Sequence, residues 1–167
     1  MNKKIYIIGP VASGKTTLSH TLSKKHNINC YELDKIVYDD DNGNVKRSDK
    51  EIREIFNEIL KNKSWIIEDV GRKMFIEGIK QADITYYIDL SKTTIYKRCI
   101  TRWIKQKIGK EKYNYKPTMI SLIEMLKWAT QDLKNKKSKI TYIKENAKSY
   151  QILYKKEINK LIKEQNI

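Results

Sequence analysis

Arginine is scarce in this chain, cysteine and histidine are scarcer, and no apolar run is long. Of 35 basic residues among 167, only five are arginine, at positions 47, 53, 72, 98 and 102. The two cysteines, Cys30 and Cys99, lie far apart with no metal-ligand spacing around them. That argues against a disulfide framework or a zinc site and leaves reduced thiols. His20 and His26 are six positions apart and share no helical face, so a paired-ligand metal site fails as well. No apolar run approaches the roughly 18–20 residues that span a bilayer. The opening is basic, but its apolar stretch, residues 5–8, ends at Gly9-Pro10. A signal-peptide core needs about 7–15 residues. Nothing repeats, and no stretch resembles an interdomain linker. These absences describe a cytoplasmic, soluble chain with no membrane partner, built as one domain over residues 1–167.

What is present begins with 40% hydrophobic residues, enough for a packed core. The net charge of +15 is unevenly placed. Residues 1–100 carry 18 basic and 14 acidic side chains, whereas residues 101–167 carry 17 and 6. Such asymmetry marks a surface suited to nucleic acid. The chain is also rich in Asn and Ile, which together with Lys are the residues an AT-rich genome favours, so drift accounts for the charge as readily.

Apolar and β-branched runs alternate with helical stretches. Residues 4–8, 28–33, 64–68, 84–90 and 140–143 read as five strands, several nearly continuous in apolar character, as strands covered on both faces are. A helix is expected over 49–61, with Ile52, Ile55, Phe56, Ile59 and Leu60 on one stripe and a capping box at Ser48–Glu51. A last helix aligns Tyr150, Leu153, Tyr154, Ile158, Leu161 and Ile162. Residues 105–116 are basic and weakly apolar, as a loop is, and Pro117 suits the first turn of a helix over 119–133. That helix is apolar around much of its circumference, which predicts burial in the fold or a homodimer contact. The alternation predicts an α/β, three-layer fold with a five-stranded parallel sheet.

Gly9-Pro10-Val11-Ala12-Ser13-Gly14-Lys15-Thr16 fits the phosphate-binding pattern G-x-x-x-x-G-K-[ST] in full. It follows an apolar strand and opens a helix through Leu18 and Leu22, the arrangement that aims backbone N–H groups and a helix dipole at a phosphate. Gly9, Ala12, Ser13, Gly14, Lys15, Thr16 and Thr17 are therefore the expected ATP site. Lys15 reaches the β- and γ-phosphates, and the Thr16 hydroxyl ligates Mg²⁺. No N-K-x-D motif for reading guanine is present, which sets aside the GTPases.

Four further segments carry a resemblance: Glu32-Leu33-Asp34 at the end of the second strand, Glu68-Asp69-Val70-Gly71-Arg72 at the end of the third, Tyr86–Leu90 in the fourth, and Arg98-x-x-x-Arg102 after it. In order and spacing they resemble the small adenylate-kinase-like phosphotransferases. With Trp65–Glu68, Arg102–Lys107 and Tyr115–Thr118, the chain is similar over about residues 3–155 to bacterial P-loop proteins described as DNA topology modulation proteins or adenylate-kinase-related kinases. Two departures stand out. Asp69 occupies a position where that family often has Gly, and no arginine follows Arg102. Lysines cannot reproduce a bidentate guanidinium clamp, so adenylate kinase activity itself is disfavoured.

The resemblance implies an ATP- and Mg²⁺-dependent kinase of a small-molecule acceptor, a nucleoside or nucleotide. In it Asp34 faces the acceptor, Glu68 contacts Mg²⁺ through water, Arg72 grips the acceptor, and Arg98 with Arg102 clamps the transferring phosphoryl group. Arg47 and Arg53 flank an acceptor-binding insert at about 35–63, and a lid at about 103–118 closes over the site. The alternative is a nucleotide-regulated DNA-binding protein without kinase activity, supported by the basic last third and by Trp103, Tyr113 and Tyr115 among lysines.

Overall fold

The computed structural model describes residues 3–39, 42–111 and 116–163. Five strands, β1 (Lys4–Ile8), β2 (Cys30–Glu32), β5 (Trp65–Asp69), β6 (Ile84–Ile88) and β7 (Tyr150–Leu153), form one sheet in the order β2-β5-β1-β6-β7. Every pairing is parallel. The connecting helices are α1 (Lys15–His26), α2 (Leu33–Val37), α3 (Asp49–Lys61), α4 (Ile76–Gln81), α5 (Lys92–Lys107), α6 (Met119–Lys134), α7 (Lys136–Asn146) and α8 (Lys155–Lys163). A two-stranded hairpin, β3 (Tyr38–Asp39) with β4 (Val45–Lys46), stands apart from the main sheet.

Alternation along the strands builds a core on each side. Tyr6, Ile8, Trp65, Ile67 and Tyr87 face α2, α3, α4 and α7 through Leu33, Ile52, Phe56, Ile79 and Ile143. Ile5, Ile7, Ile66, Tyr86 and Ile88 face α1, α5, α6 and α8 through Leu18, Ile95, Ala129 and Ile158. Central strands apolar on both faces require helices above and below, which is the expected three-layer α/β arrangement. Parallel strands also bring all their carboxyl ends to one edge, where the loops after β1, β2, β5 and β6 meet.

Helix α3 forms as its periodicity predicts. The Ser48 hydroxyl accepts from the Glu51 N–H, and the Glu51 carboxylate accepts from the Ser48 N–H at 2.9 Å. The fifth strand corrects the sequence reading. Residues 140–143 belong to α7, and the edge strand is Tyr150–Leu153, a segment expected to begin the last helix. The run Ile140-Thr141-Tyr142-Ile143 has high strand propensity, yet Ile143 packs into the core beside Ile140 and Ala147 at helical spacing. Pairing with β6 decides the strand instead, through bonds such as Thr85 N–H to Ser149 O at 2.9 Å and Asp89 N–H to Leu153 O at 2.9 Å.

One smaller correction concerns the region after β6. Helix α5 extends to Lys107, so the loop expected from residue 105 starts later, and residues 112–115 with Tyr113 and Tyr115 lie outside the described part. Helix α6 forms as expected but buries only Met125 and Ala129. Met119, Ile120, Ile123 and Trp128 remain exposed. No described helix is long and apolar enough to cross a membrane.

Candidate active site

The P-loop joins β1 to α1. Gly9 is required by closeness, because a Cβ there would lie 2.9 Å from Ser13 Oγ and 3.0 Å from Ile88 Cβ. Gly14 is required by conformation, with φ of 93°, a left-handed value that turns the chain into α1. Ser13 N–H donates to Pro10 O at 3.2 Å and closes the turn. Gly14 offers no side-chain cap and the first turn of α1 has no acidic residue, so its leading N–H groups stay available to an anion. Lys15 is buried and curls over the loop to donate to Pro10 O at 3.0 Å.

Thr16, exposed in the first turn, donates its hydroxyl to Glu68 Oε1 at 2.8 Å. Thr17 follows it on the surface. Glu68 is 5% exposed, and its second oxygen, Oε2, is buried without a hydrogen-bond partner, as is the Ser13 hydroxyl. Burial pushes the Glu68 carboxyl above its ordinary value, against the pull of Lys15 and the Thr16 hydrogen bond, and Glu32 and Asp34 add to the rise. An orphaned carboxylate oxygen beside a threonine hydroxyl is a hard-oxygen pair that suits Mg²⁺, which keeps several waters and needs few protein ligands. Among the described residues no group of three or more His, Cys, Asp or Glu side chains could hold a metal on its own.

The acceptor side lies next to this pair. Glu68 and Asp69 stand in register with Ile7 and Ile8 of β1, and Glu32 of β2 stands opposite Glu68. Asp69 has a fully buried side chain, and its carboxylate accepts from Gly71 N–H at 2.8 Å, Arg72 N–H at 2.5 Å and Arg72 Nη1 at 2.5 Å. Asp69 therefore builds the turn after β5. Arg72 bonds Asp34 through its other amino nitrogen, Nη2. Asp34 sits in the first turn of α2 rather than at the strand end, with 58% of its side chain exposed. Burial alone would lower the Arg72 pKa, but Asp69 and Asp34 outweigh it and hold the guanidinium more firmly charged.

The remaining arginines separate. Arg98 reaches back from α5 to the P-loop and donates to Ser13 O at 2.7 Å. Arg102, one turn further on, pairs with Glu111 at 3.2 Å and is nearly half exposed. Only the first of the expected pair meets the phosphate loop. Arg47 donates through Nη1 to the carbonyls of Lys35 (2.8 Å), Ile36 (3.1 Å) and Tyr38 (3.0 Å) and pairs with Asp39 at 3.0 Å. It ties α2 to the β3–β4 hairpin. Arg53 lies exposed on α3.

Sequence reasoning missed three residues at this edge. Asp132 of α6 accepts from Val11 N–H at 3.2 Å, and Lys139 of α7 bridges Asp132 Oδ1 and Val70 O, both at 2.6 Å. Lys136 pairs with Asp89 at 2.6 Å. The α6–α7 pair thus touches the loops after β1, β5 and β6. No local motif announces these contacts.

Residues 5–115 match the sequence family described as AAA domain. No curated protein matches the chain. Solved structures share its fold across nearly all its length. A shikimate kinase from Bacteroides thetaiotaomicron superimposes with a TM-score of 0.63 at 14% identity, covering 98% of this chain and 96% of that one. A gluconokinase from Sinorhizobium meliloti gives 0.57 at 10% identity, covering 98% and 89%. A shikimate kinase from Aquifex aeolicus gives 0.55 at 19% identity, covering 97% and 93%. The three-layer architecture is shared with these solved structures.

Proposed function

The chain belongs to the AAA domain family, and from that premise we propose that it is an ATP- and Mg²⁺-dependent phosphotransferase acting on a small acceptor, a nucleoside or nucleotide. The observation that carries the proposal is the Thr16–Glu68 pair beside the P-loop, with the second oxygen of Glu68 buried and unpartnered. A loop that merely bound a phosphate has no use for a desolvated carboxylate on the adjacent strand. A divalent ion bound there gives that carboxylate a partner and screens the charge of the transferring phosphoryl group.

The chain's own residues do the rest by positioning. Lys15 leaves Pro10 O for the β- and γ-phosphates, and the uncapped N–H groups of α1 hold their oxygens. Arg98, fixed against Ser13 O, lies beside the loop where charge develops. Asp34 receives the proton of the acceptor hydroxyl. The acceptor oxygen then bonds to the γ-phosphorus while the bond to the β,γ-bridging oxygen breaks, and ADP departs with that electron pair. Segment 103–118 acts as the lid and keeps water from the γ-phosphate. Residues 35–63 form the acceptor-side insert, braced by Arg47.

The order and spacing of the segments at Glu32–Asp34, Trp65–Glu68, Arg102–Lys107 and Tyr115–Thr118 support kinship with the DNA topology modulation group. A nucleotide-gated DNA binder is the second reading, and the basic residues 101–167 support it. Its aromatic support is thinner, since Trp103 donates to Thr118 O at 2.9 Å and lies under Lys107 at 4.9 Å. The test is ADP release from Mg-ATP in the presence of pooled acceptors. Acceptor-stimulated release that disappears in Lys15→Ala is expected. DNA binding that falls steeply with salt, with no acceptor stimulation, would transfer support to the second reading.

A further inference from the structure

The charge of the acceptor is written in the residues at the carboxyl ends of β2 and β5. Four carboxylates gather there. Glu32 is opposite Glu68 in register, both Glu32 and Asp34 act electrostatically on Glu68, and Asp69 follows directly. The cations whose contacts place them at these strand ends are engaged. Arg72 is held between Asp69 and Asp34. Lys35 and His20 flank Glu32 at 2.8 and 3.3 Å. Lys139 is fixed between Asp132 and Val70 O, and Arg47 is fixed on three carbonyls and Asp39.

An acceptor carrying a phosphate or carboxylate on this side meets Arg72 as the arginine placed there. Arg72 holds buried Asp69 through Nη1 and half-exposed Asp34 through Nη2, so an incoming anion displaces Asp34 from Nη2 while the bond to Asp69 remains. The displaced Asp34 carboxylate then faces the anion without its partner, two like charges competing for one guanidinium. A neutral hydroxyl group meets no such penalty. Arg72 stays where it is and leaves one oxygen of Asp34 oriented to accept the hydroxyl proton.

On the phosphotransfer reading above, we propose that the acceptor is a hydroxyl compound with no anionic group on its docking side, of nucleoside or polyol type, and that Arg72 is a positioning residue for Asp34 rather than a binder of acceptor phosphate. The nucleotide half of the acceptor class is thereby set aside.

Two measurements test this. The first is kcat/KM for matched pairs in which both members keep the same terminal hydroxyl and only one carries an anionic group elsewhere, such as adenosine with adenosine 3′-monophosphate, thymidine with thymidine 3′-monophosphate, and glucitol with gluconate, using Lys15→Ala as the blank. The neutral member of the active pair is expected to exceed its partner by about tenfold or more. Preference for the anionic member would overturn the proposal and leave phosphotransfer standing, whereas silence of every pair would count against phosphotransfer itself. The second measurement does not depend on the acceptor's identity. With Mg-ADP filling the P-loop, inorganic phosphate is titrated while the side-chain N–H signals of the five arginines are followed by NMR, Arg72 being assigned from its loss in Arg72→Lys. The Arg72 signal is expected to stay still in the native protein and to move in Asp34→Asn. Movement in the native protein would show an arginine free to bind anions and would overturn the proposal whatever the turnover assay gave.

Discussion

Replacing Asp69 with alanine tests whether the acceptor turn is built on a buried charge. The carboxylate accepts three hydrogen bonds, two from backbone N–H groups and one from Arg72. Breaking a buried ion pair by removing one partner costs about 3–5 kcal/mol. Two features lower that figure here: the Arg72 side chain is 24% exposed, and it keeps Asp34. The two orphaned N–H groups raise it again, although Gly71 and Arg72 are only half-buried and water reaches them. We expect Asp69→Ala to lose about 3 kcal/mol, a large part of a typical 5–15 kcal/mol total. Asp69→Asn, which keeps an oxygen for the backbone donors and loses only the charge, is expected to lose about 1–2 kcal/mol. Urea unfolding at fixed pH measures both through the midpoint and slope. Asp69→Ala and Arg72→Ala should be non-additive, with a coupling of about 1–3 kcal/mol, because removing both partners leaves no isolated charge. A loss below about 1 kcal/mol for Asp69→Ala, or additivity within about 0.5 kcal/mol, would refute the reasoning.

Two other substitutions probe neighbouring links. The native Glu68 carboxyl titrates above the ordinary 4.5 because it is buried. Its stability contribution is therefore complete below that pH and is lost as pH rises through the native value. Without metal, Glu68→Gln should match the parent near pH 4 and exceed it in unfolding midpoint at pH 7.5, and with Mg²⁺ present it should lose phosphotransfer; a lower metal-free midpoint at pH 7.5 would sink the argument. Gly9→Ala places a methyl group 2.9 Å from Ser13 Oγ and 3.0 Å from Ile88 Cβ. It should cost about 1–3 kcal/mol in unfolding and weaken ATP binding more than tenfold, and unchanged ATP affinity by calorimetry would contradict the assigned loop geometry.

The legible parts of this protein were those written in short sequence. The P-loop is a local pattern whose glycines answer to a close approach and a positive φ, and both appear at Gly9 and Gly14. Helix α3 carries its stripe and its cap within thirteen residues. The exchange of strand and helix between residues 140–143 and 150–153 was not legible, because β-branched residues at 140, 141 and 143 satisfy either period locally. A partner strand four elements back, β6, makes the choice. The site divided in the same way. Spacing placed Arg98 and Arg102 on one helix, but the Glu111 partner that draws Arg102 aside follows from how the chain turns after α5. Asp132, Lys136 and Lys139 reach the phosphate edge only because α6 and α7 pack across three strand ends, so no spacing rule could have found them.

The central claim is that this P-loop transfers a phosphoryl group to an organic hydroxyl. Incubation with Mg-ATP labelled at the γ-phosphate, a panel of neutral hydroxyl acceptors, and separation of the products reads it directly. Label in an organic phosphate, absent with Lys15→Ala, is the predicted result. Label that remains in ATP or appears only as inorganic phosphate would contradict it.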